Sequence, residues 1–378
     1  MKKETYLKVL GCIFILFIYT PFSLNLIMKD QSFSEMENRT LTQKPKFSVE
    51  RLLEGRYTTK YEKYVNDQFY GRDWWVRLKS SVDLFLNKRE NNGVYYGEDG
   101  YLIEDFTPGT EVAINQNIQA INAFYKKHEN MKHYFLMVPN AISILSDKLP
   151  QHVPTINQET YMDELEKNLN LGLTFINPTD SLKQHQEEKL FYKTDHHWTT
   201  LGAYYTFLEV AEAIGFSVDD DYRVETVTSA FNGTLTSSSG YGVRDLDNIE
   251  VYLPNDETNQ VVVNYVEEQK RTATLYDVTK LQGKDKYATF LGGNHSLVKI
   301  MTTSMSEKKL LLIKDSYANA FVPFLTSYYS EIVMVDPRYY FEDIELLIES
   351  EGFTDVLYLY NVNSFFSDNS LNLVLNNE

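Results

Sequence analysis

The sequence predicts an α/β protein: a parallel sheet flanked by helices, interrupted by a β-rich insertion and preceded by one apolar helix. Three observations lead there. Apolar runs of strand length alternate with helical periodicities over residues 111–214 and again over 310–360. Between them, residues 217–308 carry short β-type runs separated by polar and Gly-rich turns. The apolar stretch around Val9–Tyr19, running on to Met28, has about 20 residues, enough to cross a bilayer as a helix.

The bulk numbers bound the function. A chain of 378 residues has room for one large domain with accessories, or for two domains. Its 43% hydrophobic and 24% charged content is ordinary for a globular protein. A formal net charge of -17 argues against a nucleic-acid partner, which would require a basic stripe. With 28 Tyr and 22 Phe the chain is rich in aromatic residues, which fits a carbohydrate-facing surface and core packing equally well. Cys12 is the only cysteine, so no intrachain disulfide forms.

In chain order, residues 1–5 read as a cytoplasmic tail and residues 6–28 as a transmembrane signal anchor. Lys2, Lys3 and Lys8 place the N-terminal side in the cytoplasm and the bulk of the chain outside. No small-x-small cleavage site follows the apolar run, which disfavours a cleaved signal peptide. Leu10-Gly11-Cys12 has too few apolar residues before it for a lipoprotein signal. Residues 29–93 read as a helical stalk, helical from Val49 to Leu86, broken at Gly71-Arg72-Asp73 with Asp73 as an N-cap. Its aromatic stripe reads as a packing face.

Residues 94–378 form the main domain. Gly93–Ile103 is a β-hairpin turning at Asp99-Gly100. Helices are expected at Glu111–Glu129, Asn157–Leu169, Thr179–Glu188 and Thr200–Ile214, the last ended by Gly215. Strands are expected at His133–Val138 and Leu173–Ile176, each stopped by a nearby proline. The insertion, residues 217–308, reads as a β-rich subdomain or lid with strands at Val224–Val227, Ile249–Leu253, Val261–Val266 and Ala288–Leu291. The alternation then resumes: strand Leu310–Ile313, helix Tyr317–Tyr329, strand Glu331–Val335, helix Phe341–Glu349, strand Asp355–Tyr360.

Functional groups of a parallel sheet gather at the carboxyl ends of its strands. One such end is Lys314-Asp315-Ser316, where a serine beside a helix N-terminus meets backbone amides that favour an oxyanion. Serine is a poor nucleophile without a base. Asp195-His196-His197-Trp198 supplies one: His197 as base, with Asp195 two residues earlier on the same side of an extended or turning segment to orient it. Asn361 and the Ser316 amide are candidate oxyanion donors; His196, Trp198, Arg338 and Tyr317 are candidates for substrate contact or support. A competing reading makes Asp195, His196 and His197 ligands of a divalent cation, with His185 or His295 as a further ligand, but adjacent histidines are not the spacing of a compact metal site.

At these residues the sequence resembles the DHHW family of Gram-positive bacteria, within the larger SGNH-like hydrolase group. The resemblance lies in Ser34–Arg39, Gly97–Leu102, Thr194–Thr199, Lys314–Leu325 and Asp336–Tyr340. It is similar to the alginate O-acetylation enzymes and to PatB-type O-acetyltransferases of cell-wall polysaccharides. The resemblance implies a flavodoxin-like SGNH fold that is circularly permuted, since Asp195 and His197 precede Ser316 and Asn361 here. It also implies Ser316 as nucleophile, His197 as base, Asp195 as orienter and Asn361 as oxyanion donor. Two departures stand out: Lys314 replaces the usual Gly of Gly-Asp-Ser, and Arg338 stands near the place of the second-block Gly.

Two classes of function follow. The first is an extracytoplasmic enzyme that carries an acyl group, expected to be acetyl, on Ser316 and passes it to a cell-envelope polysaccharide or to water. It requires neither a metal nor another cofactor, and the resemblance implies a membrane-bound O-acyltransferase as acyl supplier. The second is a non-catalytic wall-polysaccharide binding or assembly protein. A pure binder has no need of Ser316, His197 and Asp195 together.

Overall fold

The computed structural model describes residues 3–34, 36, 39–218, 221–255 and 259–377. Met1 and Lys2 of the expected tail, and Glu35, Glu37 and Asn38 of the family-like Ser34–Arg39 stretch, lie outside the described residues. The chain divides into two compact units, Met1–Asn91 with Ser237–Gly242, and Asn92–Thr236 with Val243–Glu378.

The first unit begins with α1 (Lys3–Ile27), in which no side chain is buried. It is long and apolar enough to span a membrane or to serve as a signal sequence. Three shorter helices follow: α2 (Val49–Leu53), α3 (Arg56–Asp67) and α4 (Arg72–Phe85). The expected single break is two, because Gly55 and Gly71 both take left-handed conformations (φ 74° and 66°) that start new helices. Asp73 lies in the first turn of α4 rather than at its N-cap. Asp67, buried, accepts a two-pronged pair from Arg39 (2.6 and 3.1 Å) and the Thr42 amide (2.8 Å). On α4, Trp74, Val82 and Phe85 are exposed.

The second unit opens with the expected hairpin. Strands β1 (Val94–Tyr96) and β2 (Leu102–Glu104) pair antiparallel, with Asp99 and Gly100 at φ 54° and 79° in the turn. The central sheet has eight strands. In chain order its members are β3 (Lys132–Val138), β4 (Thr174–Ile176), β7 (Val261–Tyr265), β8 (Lys270–Thr272), β9 (Leu297–Thr302), β10 (Lys309–Lys314), β11 (Glu331–Val335) and β12 (Asp355–Asn361). In space they run β8-β7-β9-β11-β10-β12-β3-β4. From β11 to β4 all pairs are parallel; β8, β7 and β9 extend that edge antiparallel. The sheet is therefore mixed, not purely parallel. Leu310–Ile313 and Val356–Leu359 are fully buried, as continuous apolar strands covered on both faces must be.

The flanking helices are α5 (Glu111–Lys127), α6 (Gln158–Asn168), α7 (Thr200–Ile214) and α8 (Ile344–Glu351). Thr110, Asn157, Thr199 and Asp343 cap them, each side chain accepting a first-turn amide hydrogen. The helix expected over Tyr317–Tyr329 is only Ala318–Phe321 followed by a tighter turn, because Pro323 offers no amide hydrogen.

The insertion differs most from expectation. Only β5 (Tyr222–Phe231) and β6 (Asp247–Pro254) form a separate two-stranded ribbon. β7–β9 join the main sheet instead, because β9 pairs antiparallel with β11 and covers the edge a parallel sheet would leave open. Ala288–Leu291 is a turn, not a strand, whereas Leu297–Thr302 is an unforeseen strand. Many tyrosines serve the core, among them Tyr317, Tyr329 and Tyr358, each fully buried.

α7 packs on the short helix after Ser316 through Phe207, which is fully buried, with its ring 5.5 Å from Phe324 and 6.3 Å from Phe321. Replacing Phe207 by Ala should cost about 3–5 kcal/mol. A urea titration of the Phe207→Ala variant that left the midpoint unmoved would contradict this packing.

Candidate active site

The segment Phe191–Trp198 closes on itself as a tight turn. Phe191 and Trp198 bridge antiparallel, and the Tyr192 amide donates to the His197 carbonyl (3.2 Å). This turn presents Asp195 and His197 on one side. His197 Nδ1 lies 2.5 Å from Asp195 Oδ1, and its Nε2 lies 2.7 Å from Ser316 Oγ. The three residues that sequence reasoning singled out thus form one continuous chain of contacts, across 119 residues of sequence, and all three are buried.

Asp195 has four donors. Oδ1 takes the His197 amide (3.1 Å) and Nδ1; Oδ2 takes the amide (2.8 Å) and hydroxyl (2.9 Å) of Thr234. Thr234 comes from the insertion, and Gly233 before it is required by close approach. A Cβ there would stand 2.3 Å from the Asp195 Cβ. Asp247 holds the other end of the turn, accepting the amides of Lys193 (3.0 Å) and Thr194 (2.8 Å) and the Thr194 hydroxyl (2.6 Å).

The Ser316 side is built with equal care. Asp315, fully buried, accepts the Tyr317 amide (2.8 Å) on one oxygen and the Asn361 amide (2.8 Å) and Nδ2 (2.7 Å) on the other. Lys314 is also buried; its Nζ reaches Asn319 Oδ1 (2.9 Å) and Asp336 Oδ2 (3.3 Å). Arg338 grips the same Asp336 through Nε (2.8 Å) and Nη2 (2.6 Å). The two departures from the family pattern, Lys314 and Arg338, thus meet on one carboxylate.

Four candidates take supporting positions. Trp198 and Tyr317 are fully buried, which suits support rather than substrate contact. Trp198 Nε1 donates to the Tyr317 carbonyl (3.1 Å), and the Tyr317 hydroxyl donates to the His196 carbonyl (2.6 Å), tying the two motifs together. His196 is partly exposed, with Nδ1 2.8 Å from Thr234 Oγ1. Asn361 does not have the free donors expected of it. Both Nδ2 hydrogens are given, to Asp315 and to Ser364 Oγ (2.8 Å), and its Oδ1 accepts from Asn140 (3.0 Å). Asn361 caps the helix that follows β12 and anchors Asp315. Among the described residues no acceptor takes the Ser316 amide hydrogen.

Sequence reasoning missed Tyr287 as well as Thr234. The Tyr287 ring lies against the His197 ring, centroids 3.7 Å apart and planes 12° apart, and its hydroxyl donates to the Ser316 carbonyl (3.3 Å). Nothing in the sequence separates this tyrosine from the other 27. Phe231-Asn232-Gly233-Thr234 carried a signal, a Gly-Thr turn after a β-type run, but its partner was invisible.

The electrostatics favour a neutral base. Burial, helped by the neighbouring His196, pushes the His197 imidazole down to about 4, against the pull of Asp195. Burial works against ionising Asp195, but the adjacent histidines and the donated hydrogen bonds outweigh it and hold the carboxyl well below the usual range. With Nδ1 facing a carboxylate, Nε2 is left as the acceptor for the Ser316 hydroxyl.

The ligand atoms of Asp195, His196 and His197 lie within 4.8 Å of one another. Both nitrogens of His197 are nevertheless engaged by Asp195 and Ser316. His185 pairs with Glu188 and His295 with Glu268, so neither joins the group.

These contacts predict that the ¹⁵N resonances of His197 titrate near about 4, well below the ordinary histidine value of about 6.5. A midpoint at or above the ordinary value would refute the neutral, buried imidazole.

The DHHW protein family model matches residues 99–335. No curated protein matches the chain. A DHHW family protein from Eubacterium siraeum is 25% identical, with 76% of this chain and 96% of that one covered at a TM-score of 0.65. PatB1 of Bacillus cereus, solved with a sulfonyl adduct, is 22% identical over 73% of this chain and 97% of that one, with a TM-score of 0.62. A second structure of PatB1 gives 24% identity, 72% and 97% coverage, and a TM-score of 0.61. The family model spans well over half of the sequence and includes the Asp195-His196-His197-Trp198 turn: the chain belongs to the DHHW family.

Proposed function

We propose that this protein is an O-acyltransferase of the cell envelope that carries an acetyl group on Ser316 and passes it to a polysaccharide hydroxyl. The observation that carries the proposal is the unbroken contact Ser316 Oγ–His197 Nε2, His197 Nδ1–Asp195 Oδ1, at 2.7 and 2.5 Å. Ser316 Oγ attacks the acyl carbonyl of the donor while His197 Nε2 takes its proton. The proton passes to the departing donor group, leaving an acyl-Ser316 ester. A sugar hydroxyl then attacks that ester, gives its proton to His197, and Ser316 regains it as the second bond breaks. The Ser316 amide, taken by no acceptor among the described residues, is the first oxyanion donor. The likeness to PatB1, a structure that holds a sulfonyl adduct, is consistent with a reactive nucleophile in this fold.

In this reading α1 is retained as a single-pass anchor with the α/β domain outside the cytoplasm. Acetyl-CoA is then out of reach, and a membrane-bound O-acyltransferase supplies the acyl group across the membrane. Counted from the Ser316 strand, the parallel strands β10, β11, β12, β3 and β4 lie in the spatial order 2-1-3-4-5. That is the flavodoxin-like order, which supports reading the chain as a circularly permuted SGNH fold.

The test is turnover of a chromogenic acetyl ester by the purified protein, with and without glycan oligomers. Ser316→Ala should lose about 10³-fold or more in kcat, and mass spectrometry should find an acetylated Ser316 peptide. Acceptor-dependent product favours transfer; equal release of acetate with and without acceptor favours an esterase. A folded wild type no faster than Ser316→Ala would leave the non-catalytic binding reading in its place.

The pH profile follows from His197. A base with a lowered pKa is competent at neutral pH, and kcat/KM should fall only as pH drops through about 4. A fall beginning at about 6.5, the ordinary imidazole value, would mean that His197 is not the group being titrated.

A further inference from the structure

The first unit carries an apolar stripe that the catalytic reading does not use. In α4, Trp74, Leu78, Val82 and Phe85 follow one another at spacings of four, four and three and so share one face. Their exposures are 58%, 40%, 47% and 89%, where a buried packing face would leave little. Arg72, Arg77 and Lys79 lie on the same helix. Leu53, in α2, is 83% exposed.

These helices are joined to α1. Asn25 Oδ1 accepts the Tyr70 amide (2.6 Å), Gln68 Oε1 accepts the Gln31 amide (2.8 Å), and the Tyr64 hydroxyl reaches the Asp30 carboxylate (3.1 Å). Higher up α1, Phe17 meets Trp75 edge to face, centroids 6.0 Å apart. An aromatic of α4 thus lies beside the membrane-length helix itself.

Charge separates this unit from the rest. Residues 29–91, which this reading puts on the same side of the membrane as α4, hold 13 Lys and Arg against 10 Asp and Glu, whereas the whole chain holds 36 against 53. A net positive, aromatic-rich, exposed amphipathic helix in continuity with a membrane-length helix has the chemistry of an interfacial element.

We propose that the exposed face of α4 lies in the headgroup–acyl boundary of an anionic lipid bilayer, with Trp74 and Phe85 inserted and the basic side chains at the phosphates. The proposal rests on the reading of α1 as a retained anchor. It would hold the first unit flat on the membrane, where α1 alone would leave it free to swing.

The chain has only three tryptophans, and Trp198 is fully buried. The Trp75→Phe variant therefore leaves Trp74 as the one exposed tryptophan. The full chain carrying that substitution would be reconstituted in vesicles of phosphatidylcholine and phosphatidylglycerol, with and without bromine at carbons 6 and 7 of the acyl chains. Flotation with the vesicles reports the anchor separately from the stripe. The expected result is about twofold quenching of the exposed emission by the brominated lipid. Quenching should weaken in pure phosphatidylcholine and disappear in Trp75→Phe/Val82→Glu/Phe85→Glu, while Trp198 emission persists as a sign of the fold. Protein that floats with Trp74 unquenched overturns the proposal and leaves the anchor standing. Trp74 shielded from bromine but cross-linked to a second copy or another protein also overturns it. Equal quenching in pure phosphatidylcholine removes the anionic preference. Failure to float at all defeats the anchor reading itself.

Discussion

A buried carboxylate organises the site. Asp195 sits out of water, where an ionised acid is unfavourable unless it is fully paired. It is paired by two donors from His197 and two from Thr234. Those bonds decide the tautomer of His197, the conformation of the turn and the position of the insertion in one step. The insertion is thus not a lid laid over a finished site. Its Gly233-Thr234 corner is half of the cradle that keeps Asp195 charged.

The serine side depends on the same principle. Ser316 follows a strand buried on both faces, so the groups around it must satisfy each other. Asp315 ties the end of β10 to the end of β12 through Asn361, and Lys314 and Arg338 share Asp336 at the end of β11. Three neighbouring strand ends are locked together by buried hydrogen bonds and ion pairs. Such networks are specific rather than strongly stabilising. Here they fix the direction in which Ser316 leaves the sheet.

Tyr287 adds a constraint of another kind. Its ring covers one face of His197 while its hydroxyl grips the serine carbonyl. It limits the tilt of the imidazole and displaces water from it, and the burial that lowers the His197 pKa comes partly from this contact. In the proposed reaction, a site this dry would help a sugar hydroxyl compete against water for the acyl-serine.

By itself the sequence determined the α/β rhythm, the hairpin at Asp99-Gly100, the helix end at Gly215 and the candidacy of Ser316, His197 and Asp195. Each is encoded locally: periodicity, turn residues, and side chains whose chemistry is unusual at any position. The tertiary structure alone decided that β9 pairs with β11, that Asn361 serves Asp315, that Thr234 and Tyr287 complete the site, and that the stripe of α4 is exposed. Thr234 stands 39 residues from Asp195. Neither a threonine nor a tyrosine announces its partner, because hydrogen bonds and ring contacts are properties of a pair. Apolar periodicity shows that a face exists, but what covers it depends on the chain folding around it.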